Sequence, residues 1–88
     1  MSEYHVASLI VRCRPEQLYT ATRELGVIPG AEVHATDISG KIIVTAEGTS
    51  QQTIAHISEQ MRIVTGVVDV AAVYHEYAPD SSSPSPLP

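Results

Sequence analysis

The fold is decided by residues 31–47, AEVHATDISGKIIVTAE, which contain two alternating segments on either side of a short turn. In the first segment, small or apolar residues alternate with polar ones, and the second is richer in β-branched residues. Both have the period of two that is typical of strands. The Ser39-Gly40 pair between them suits a tight turn. We therefore predict a hairpin of two strands over residues 31–37 and 41–47.

One strand and one helix are predicted on each side of this hairpin. Residues 5–13 are rich in β-branched side chains and predict a strand, and the helix after it begins near Pro15. The second helix is predicted to begin with a capping box, in which Thr49 is the N-cap and Gln52 reaches back. An apolar strand is predicted over residues 67–77. Apolar stripes at helical spacing are formed by Leu18, Ala21, Thr22 and Leu25 in the first helix and by Ile54, Ile57, Met61 and Val64 in the second.

The order strand, helix, strand, strand, helix, strand predicts an α+β fold. Leu18 and Ile54 are separated by the same number of residues as Gly30 and Gly66, which indicates two βαβ-like halves. We predict a ferredoxin-like plait, βαββαβ, with a four-stranded antiparallel sheet and two helices on one face. The predicted domain spans residues 3–77, and a flexible Pro/Ser-rich tail spans residues 78–88.

The sheet face opposite the helices is predicted to be uncovered. If Leu9 and Val44 point toward the helices, the alternate positions on their strands point outward. On the last strand we expect Val68, Val70, Ala72 and Tyr74 inward, with Asp69, Ala71, Val73 and His75 outward. The outward set forms an apolar stripe broken by small residues: Val6, Ser8, Ile10, Ile43, Thr45, Ala71 and Val73. Such a stripe is typical of a docking surface, and a homodimer that packs sheet to sheet is the alternative.

Composition excludes several functional classes. Ten acidic and five basic residues give a net charge of −5. This charge disfavours binding to nucleic acid and favours binding to a basic partner. No apolar run is long enough for membrane insertion, and the N-terminus lacks the features of a secretory signal, so we expect a cytoplasmic protein. Cys13 is the single cysteine and is expected to be a small buried side chain.

The residues needed for catalysis or for metal binding are not apparent. The chain has no Phe or Trp, and its four tyrosines are expected outside the two central strands, which disfavours base stacking. The four histidines are expected at the surface or at strand ends, without a ligand set. We therefore predict no catalytic, cofactor-binding or metal-binding residues, and a protein that is not an enzyme.

Several segments, in order, resemble the NapD family. They are Ser8-Leu9-Ile10-Val11, Pro29-Gly30-Ala31-Glu32-Val33, Gly40-Lys41-Ile42-Ile43-Val44 and the ending from Gly66-Val67 to Val73-Tyr74-His75. The resemblance covers about residues 4–77. It implies a cytoplasmic chaperone that binds the twin-arginine (Tat) signal peptide of the catalytic subunit of the periplasmic nitrate reductase. Such a chaperone prevents export before cofactor insertion is complete.

The resemblance gives the predicted stripe a ligand. The signal peptide has a basic region followed by a mildly apolar stretch, which is expected to lie on the stripe, either as a helix or as a strand added at the edge formed by residues 31–37. Glu47, Asp69 and Glu76 are expected to form an acidic rim that meets its arginines. The alternative functions are a small-molecule-sensing regulatory domain of the same fold and a structural homodimer. We expect a monomer or a weak homodimer.

Overall fold

The computed structural model describes the backbone of residues 3–79 and the side chains of residues 4–73. The elements follow the predicted order: β1 (Glu3–Cys13), a 3₁₀ turn (Pro15–Gln17), α1 (Leu18–Gly26), β2 (Ala31–Asp37), β3 (Lys41–Gly48), α2 (Gln51–Arg62) and β4 (Val67–Pro79). β4 continues two residues beyond the predicted end of the domain at Tyr77. Residues 80–88, which make up most of the predicted tail, lie outside the described residues.

The four strands form one sheet in the order β2-β3-β1-β4. Each neighbouring pair is antiparallel. The predicted ferredoxin-like plait is therefore confirmed, with β1 and β3 at the centre of the sheet and β2 and β4 at its edges.

Alternate residues of the central strands form the core under the two helices. Leu9 and Val44 are paired and almost fully buried, and α1 and α2 contribute Leu25 and Met61 to the same core. Burying one side chain of this size stabilises the folded state by about 1.5–3 kcal/mol relative to leaving it exposed. Cys13 is buried in this core, as predicted.

The predicted start of the second helix is off by one residue. Ser50, rather than Thr49, is the N-cap, and its Oγ accepts a hydrogen bond of 3.0 Å from the Thr53 N–H. Serine and threonine are both good N-cap residues. The backbone of Ser50 is extended while helical geometry begins at Gln51, so the side chain at position 50 is the one that reaches the third helical N–H.

The predicted alternation of β4 is wrong at several positions. Val70 is buried as expected, but Val68 is 63 % exposed because the pairing with β1 shifts register between Arg12 and Cys13. A second shift falls between Ser8 and Leu9 and leaves Val73 between two paired residues. Each shift inserts an extra residue into one strand and ends the regular alternation.

The predictions for three further residues of β4 also differ from the structure or cannot be compared with a described side chain. Ala72, predicted inward, pairs with Leu9 but is exposed on this edge strand. Tyr74 was predicted inward but pairs with Ser8, which belongs to the outward set of β1. His75 was predicted outward but pairs with Ala7, which belongs to the inward set. Their side chains lie outside the described set.

His5 lies near the start of β1, one of the places predicted for the histidines, but it is buried, and Tyr4 contradicts the expectation for the tyrosines. His5 is only 3 % exposed, because it continues the inward set of β1 that includes Ala7. β1 begins two residues earlier than predicted and so includes Tyr4. A tyrosine therefore does lie on a central strand.

Candidate functional site

The sheet face opposite the helices is uncovered by the described part of the chain. We call it the open face. The alternate residues of β1 and β3 that are not in the core retain partial or full exposure: Val6, Ser8, Ile10, Arg12, Lys41, Ile43, Thr45 and Glu47. The predicted orientation of both central strands is confirmed by this pattern of burial.

An apolar row crosses the middle of the open face. Ile10 pairs with Ile43 on one side and with Ala71 on the other, and Ile43 pairs in turn with Ala35 of β2. We call Ala35, Ile43, Ile10 and Ala71 the apolar row. Both isoleucines are only partly buried, so the row presents apolar surface that a partner can cover.

A hydroxyl-bearing pair lies beside the apolar row. Ser8 pairs with Thr45 across the central strands. The Oγ1 of Thr45 lies 2.8 Å from Nε2 of His34, within hydrogen-bond distance. His34 falls at the register shift between Val33 and Ala35, and the contact shows that its imidazole lies on the open face.

One end of the open face is acidic. Glu47 pairs with Val6, and Glu32 of β2 pairs with Thr45. The Tyr4 hydroxyl donates a hydrogen bond of 2.6 Å to Oε1 of Glu47. A carboxylate accepts several hydrogen bonds, so this bond orients Glu47 while leaving it able to accept from another donor. We call Tyr4, Glu32 and Glu47 the acidic end.

The opposite end of the open face has balanced charges. Arg12 pairs with Lys41 on β3 and with Asp69 on β4, and Lys41 pairs with Asp37 on β2. The pKa of Asp37 is lowered, first by hydrogen bonds from the Ser39 side chain and backbone and also by Lys41, so this carboxylate is ionised near neutral pH. We call Asp37, Lys41, Arg12 and Asp69 the balanced end.

The predicted site residues separate into three groups by their place in the sheet. Val6, Ser8, Ile10, Ile43, Thr45 and Ala71 lie on adjoining positions of the open face. Val73 is 57 % exposed but lies at a register shift, so it does not pair across from Ser8 as a continued alternation requires. Among the predicted rim residues, Glu47 lies at the acidic end and Asp69 lies opposite Arg12. Glu76 pairs with Val6, and its side chain lies outside the described residues.

Five residues of the open face were not predicted to lie there: Tyr4, Glu32, His34, Ala35 and Asp37. Tyr4 continues the outward set of β1, and a strand prediction that began two residues earlier would have included it. Glu32 and His34 were recognised as polar positions of a half-exposed strand, but their place beside Thr45 depends on the β2–β3 register. Ala35 is on this row only because of the register shift after Val33.

The described residues provide no group of three or more His, Cys, Asp or Glu side chains that is placed to hold a metal ion. Burial raises the pKa of the Cys13 thiol, and the nearby Glu16 carboxylate adds to this effect. A protonated and enclosed thiol is a poor nucleophile. Among the described residues, no helix combines the length and the apolar character needed to cross a membrane.

Comparisons with known proteins identify relatives over most of the chain. Residues 4–78 match the family described as NapD protein. The chain is 34 % identical to "Chaperone NapD" of Escherichia coli K12 over 76 residues, which cover 85 % of this chain and 87 % of that one. It is 31 % identical to "Chaperone NapD" of Haemophilus influenzae over 75 residues, 84 % of this chain and 81 % of the relative.

A solved structure shows the same fold. The solution structure of the E. coli Tat proofreading chaperone protein NapD superposes with a TM-score of 0.77 at 31 % identity. The superposition covers 97 % of this chain and 90 % of that one. Sequence and structure therefore identify the same relatives.

Proposed function

Because the chain belongs to the NapD family of chaperones, we propose that it binds the twin-arginine signal peptide of the catalytic subunit of a periplasmic nitrate reductase. Binding holds this precursor in the cytoplasm until its cofactor is inserted and its folding is complete. The proposed activity is the binding of a peptide, with no catalytic step.

The observation that carries the proposal is the open face, with its apolar row beside an acidic end. A twin-arginine signal peptide combines a basic region with a mildly apolar stretch. The apolar stretch matches Ile10 and Ile43, and the basic region matches Glu32 and Glu47. The apolar contact supplies affinity, and the charges orient the peptide and speed its encounter with the chaperone.

We infer that the peptide lies across the open face rather than as a fifth strand on β2. The β2 edge carries the register shift at His34, and Glu32 and Asp37 place charges along it. Bulges and charged residues are the features by which edge strands resist pairing with another chain. The open face carries a continuous apolar row and has no such obstacle.

Substitution of the two central isoleucines tests the proposal. We expect Ile10→Glu and Ile43→Glu each to weaken binding of a synthetic signal peptide by at least about 30-fold, because each places an unpaired charge in the contact. The matched control is Ile63→Glu, since Ile63 is 84 % exposed in the α2–β4 connection. Isothermal titration calorimetry measures the affinity, and circular dichroism checks that each variant folds. If the two open-face variants bind as tightly as Ile63→Glu, the open face is not the site.

Two other functions make different predictions for the same protein. A structural homodimer would bury the open face against a second copy, and the peptide would then compete with dimerisation in size-exclusion chromatography. A small-molecule-sensing domain would use a concavity such as the cleft of about 380 Å³ between the α1–β2 connection and α2, lined by Pro29, Gly30, Thr53 and Ile57. Thermal stabilisation by a free amino acid, without any effect of the peptide, would favour that function.

A further inference from the structure

The charges of the open face are distributed unevenly along the strands. The acidic end has Glu32 and Glu47 without a basic partner among their paired positions, which are Thr45 and Val6. At the balanced end, Arg12 and Lys41 each pair with an aspartate as well as with each other. A basic ligand is therefore attracted to the acidic end, whereas the two cations of the balanced end are offset by two aspartates and give it no net attraction.

The distance along β1 between the two charged ends of the open face matches the length of a short helical peptide. From Val6 to Arg12 the strand rises about 20 Å at about 3.3 Å per residue. An α-helix covers that length with about 13 residues, at about 1.5 Å each. A ligand of this length covers the acidic end, the apolar row and the balanced end at once.

We propose that the signal peptide binds the open face in one direction, with its basic N-terminal region at Glu32 and Glu47 and its apolar stretch running over the apolar row toward Arg12 and Lys41. This inference rests on the proposed function and adds the polarity of the bound peptide. In the reverse direction the arginines of the peptide would lie beside Arg12 and Lys41, and the acidic end would have no cation to meet.

Tyr4 acts as a positioning residue in this arrangement. Its hydroxyl holds Oε1 of Glu47 at 2.6 Å and so restricts the carboxylate to one region of the open face. A guanidinium recognises a carboxylate best when the oxygens are held in a fixed plane. We expect Tyr4→Phe to reduce the affinity only for peptides that retain their arginines, and to leave the affinity for an arginine-free peptide unchanged.

Charge reversal at the two ends tests the polarity. We expect Glu47→Lys to weaken binding of the synthetic peptide about tenfold, because it places a cation where the arginines bind. The matched control is Asp69→Lys, the same reversal of charge at the balanced end, with an expected change in affinity of less than about threefold. A peptide whose two arginines are replaced by glutamates should bind Glu47→Lys more tightly than it binds the unmodified chain. Equal weakening by Glu47→Lys and Asp69→Lys would overturn the inference.

Paramagnetic labelling of the peptide gives the direction itself. A nitroxide at the peptide N-terminus should broaden the amide resonances of Tyr4, Glu32 and Glu47 in the ¹⁵N-labelled chain. A nitroxide at the peptide C-terminus should broaden those of Arg12 and Lys41 instead. The reverse pattern, or equal broadening by both labels, would overturn the polarity while leaving the proposed function intact. Loss of the proposed function has a different signature, because no resonance would then shift when the peptide is added.

Discussion

Gly40 closes the β2–β3 hairpin directly beneath the end of β1. Its φ of +101° lies in the left-handed region, and a Cβ at this position would overlap the carbonyl oxygen of Cys13. The Gly40 carbonyl in turn accepts a hydrogen bond of 2.8 Å from the Cys13 N–H. The hairpin and the central strand are thus in backbone contact at a point where no side chain fits.

This contact predicts a large effect of one methyl group. We expect Gly40→Ala to lower the free energy of unfolding by roughly 2–4 kcal/mol, because the left-handed backbone and the steric overlap act together. The matched control is Gly26→Ala at the end of α1, where a Cβ has no atom within 4 Å and φ is not positive. We expect this control to be neutral or slightly stabilising. Urea denaturation compares the two, and equal stability would show that the hairpin tolerates a displacement of β1.

At the scale of single residues, the sequence predicts which residues of the central strands lie on the open face, but it does not predict which residues they pair with. The alternation of β1 and β3 places Ile10 and Ile43 on the open face, and both lie there. It does not reveal that Asp69 lies opposite Arg12, because that pairing depends on the register between distant strands. One of the predicted acidic rim positions therefore lies directly opposite a basic residue.

At the scale of elements, the side chain of Ser50 caps the first turn of α2. The Ser50 Oγ accepts the hydrogen bond from the Thr53 N–H and lies 2.9 Å from the Thr53 hydroxyl. The first N–H groups of a helix have no partner within the helix, so such a cap satisfies one of them. Thr49 precedes the cap and is exposed.

The cap predicts effects of different size at two neighbouring positions. We expect Ser50→Ala to lower the free energy of unfolding by about 1 kcal/mol. Thr49→Ala should change it by less than about half that amount, as a surface substitution does. Thermal unfolding followed by circular dichroism measures both. A larger loss at Thr49 than at Ser50 would support the capping box expected from the sequence and contradict the observed cap.

The strands differ in how far a periodic pattern describes them. β1 pairs with β3 without interruption, and a period of two correctly predicts which of their residues are buried. β4 pairs with β1 through two register shifts, so no single alternation describes it. A bulge has no strong residue signature in an apolar strand such as residues 67–73. This is why Val68 was predicted on the wrong face and why the regular alternation does not continue through Val73.

At the scale of the whole molecule, the two faces of one sheet have separate roles. One face packs against α1 and α2 and forms the core. The other presents the apolar row between the acidic end and the balanced end. The fold itself was predictable, because the core stripes are long and regular. The distribution of charge was not, because it arises from four strands brought into register.

Intermolecular NOEs to methyl groups would show whether the signal peptide contacts the open face. The chain should be labelled at its isoleucine methyl groups and mixed with unlabelled synthetic peptide. We predict NOEs from the peptide to the methyl groups of Ile10 and Ile43, and none to Ile57 in the core or to Ile63 in the α2–β4 connection. NOEs to Ile63 without any to Ile10 or Ile43 would show that the peptide does not bind the open face.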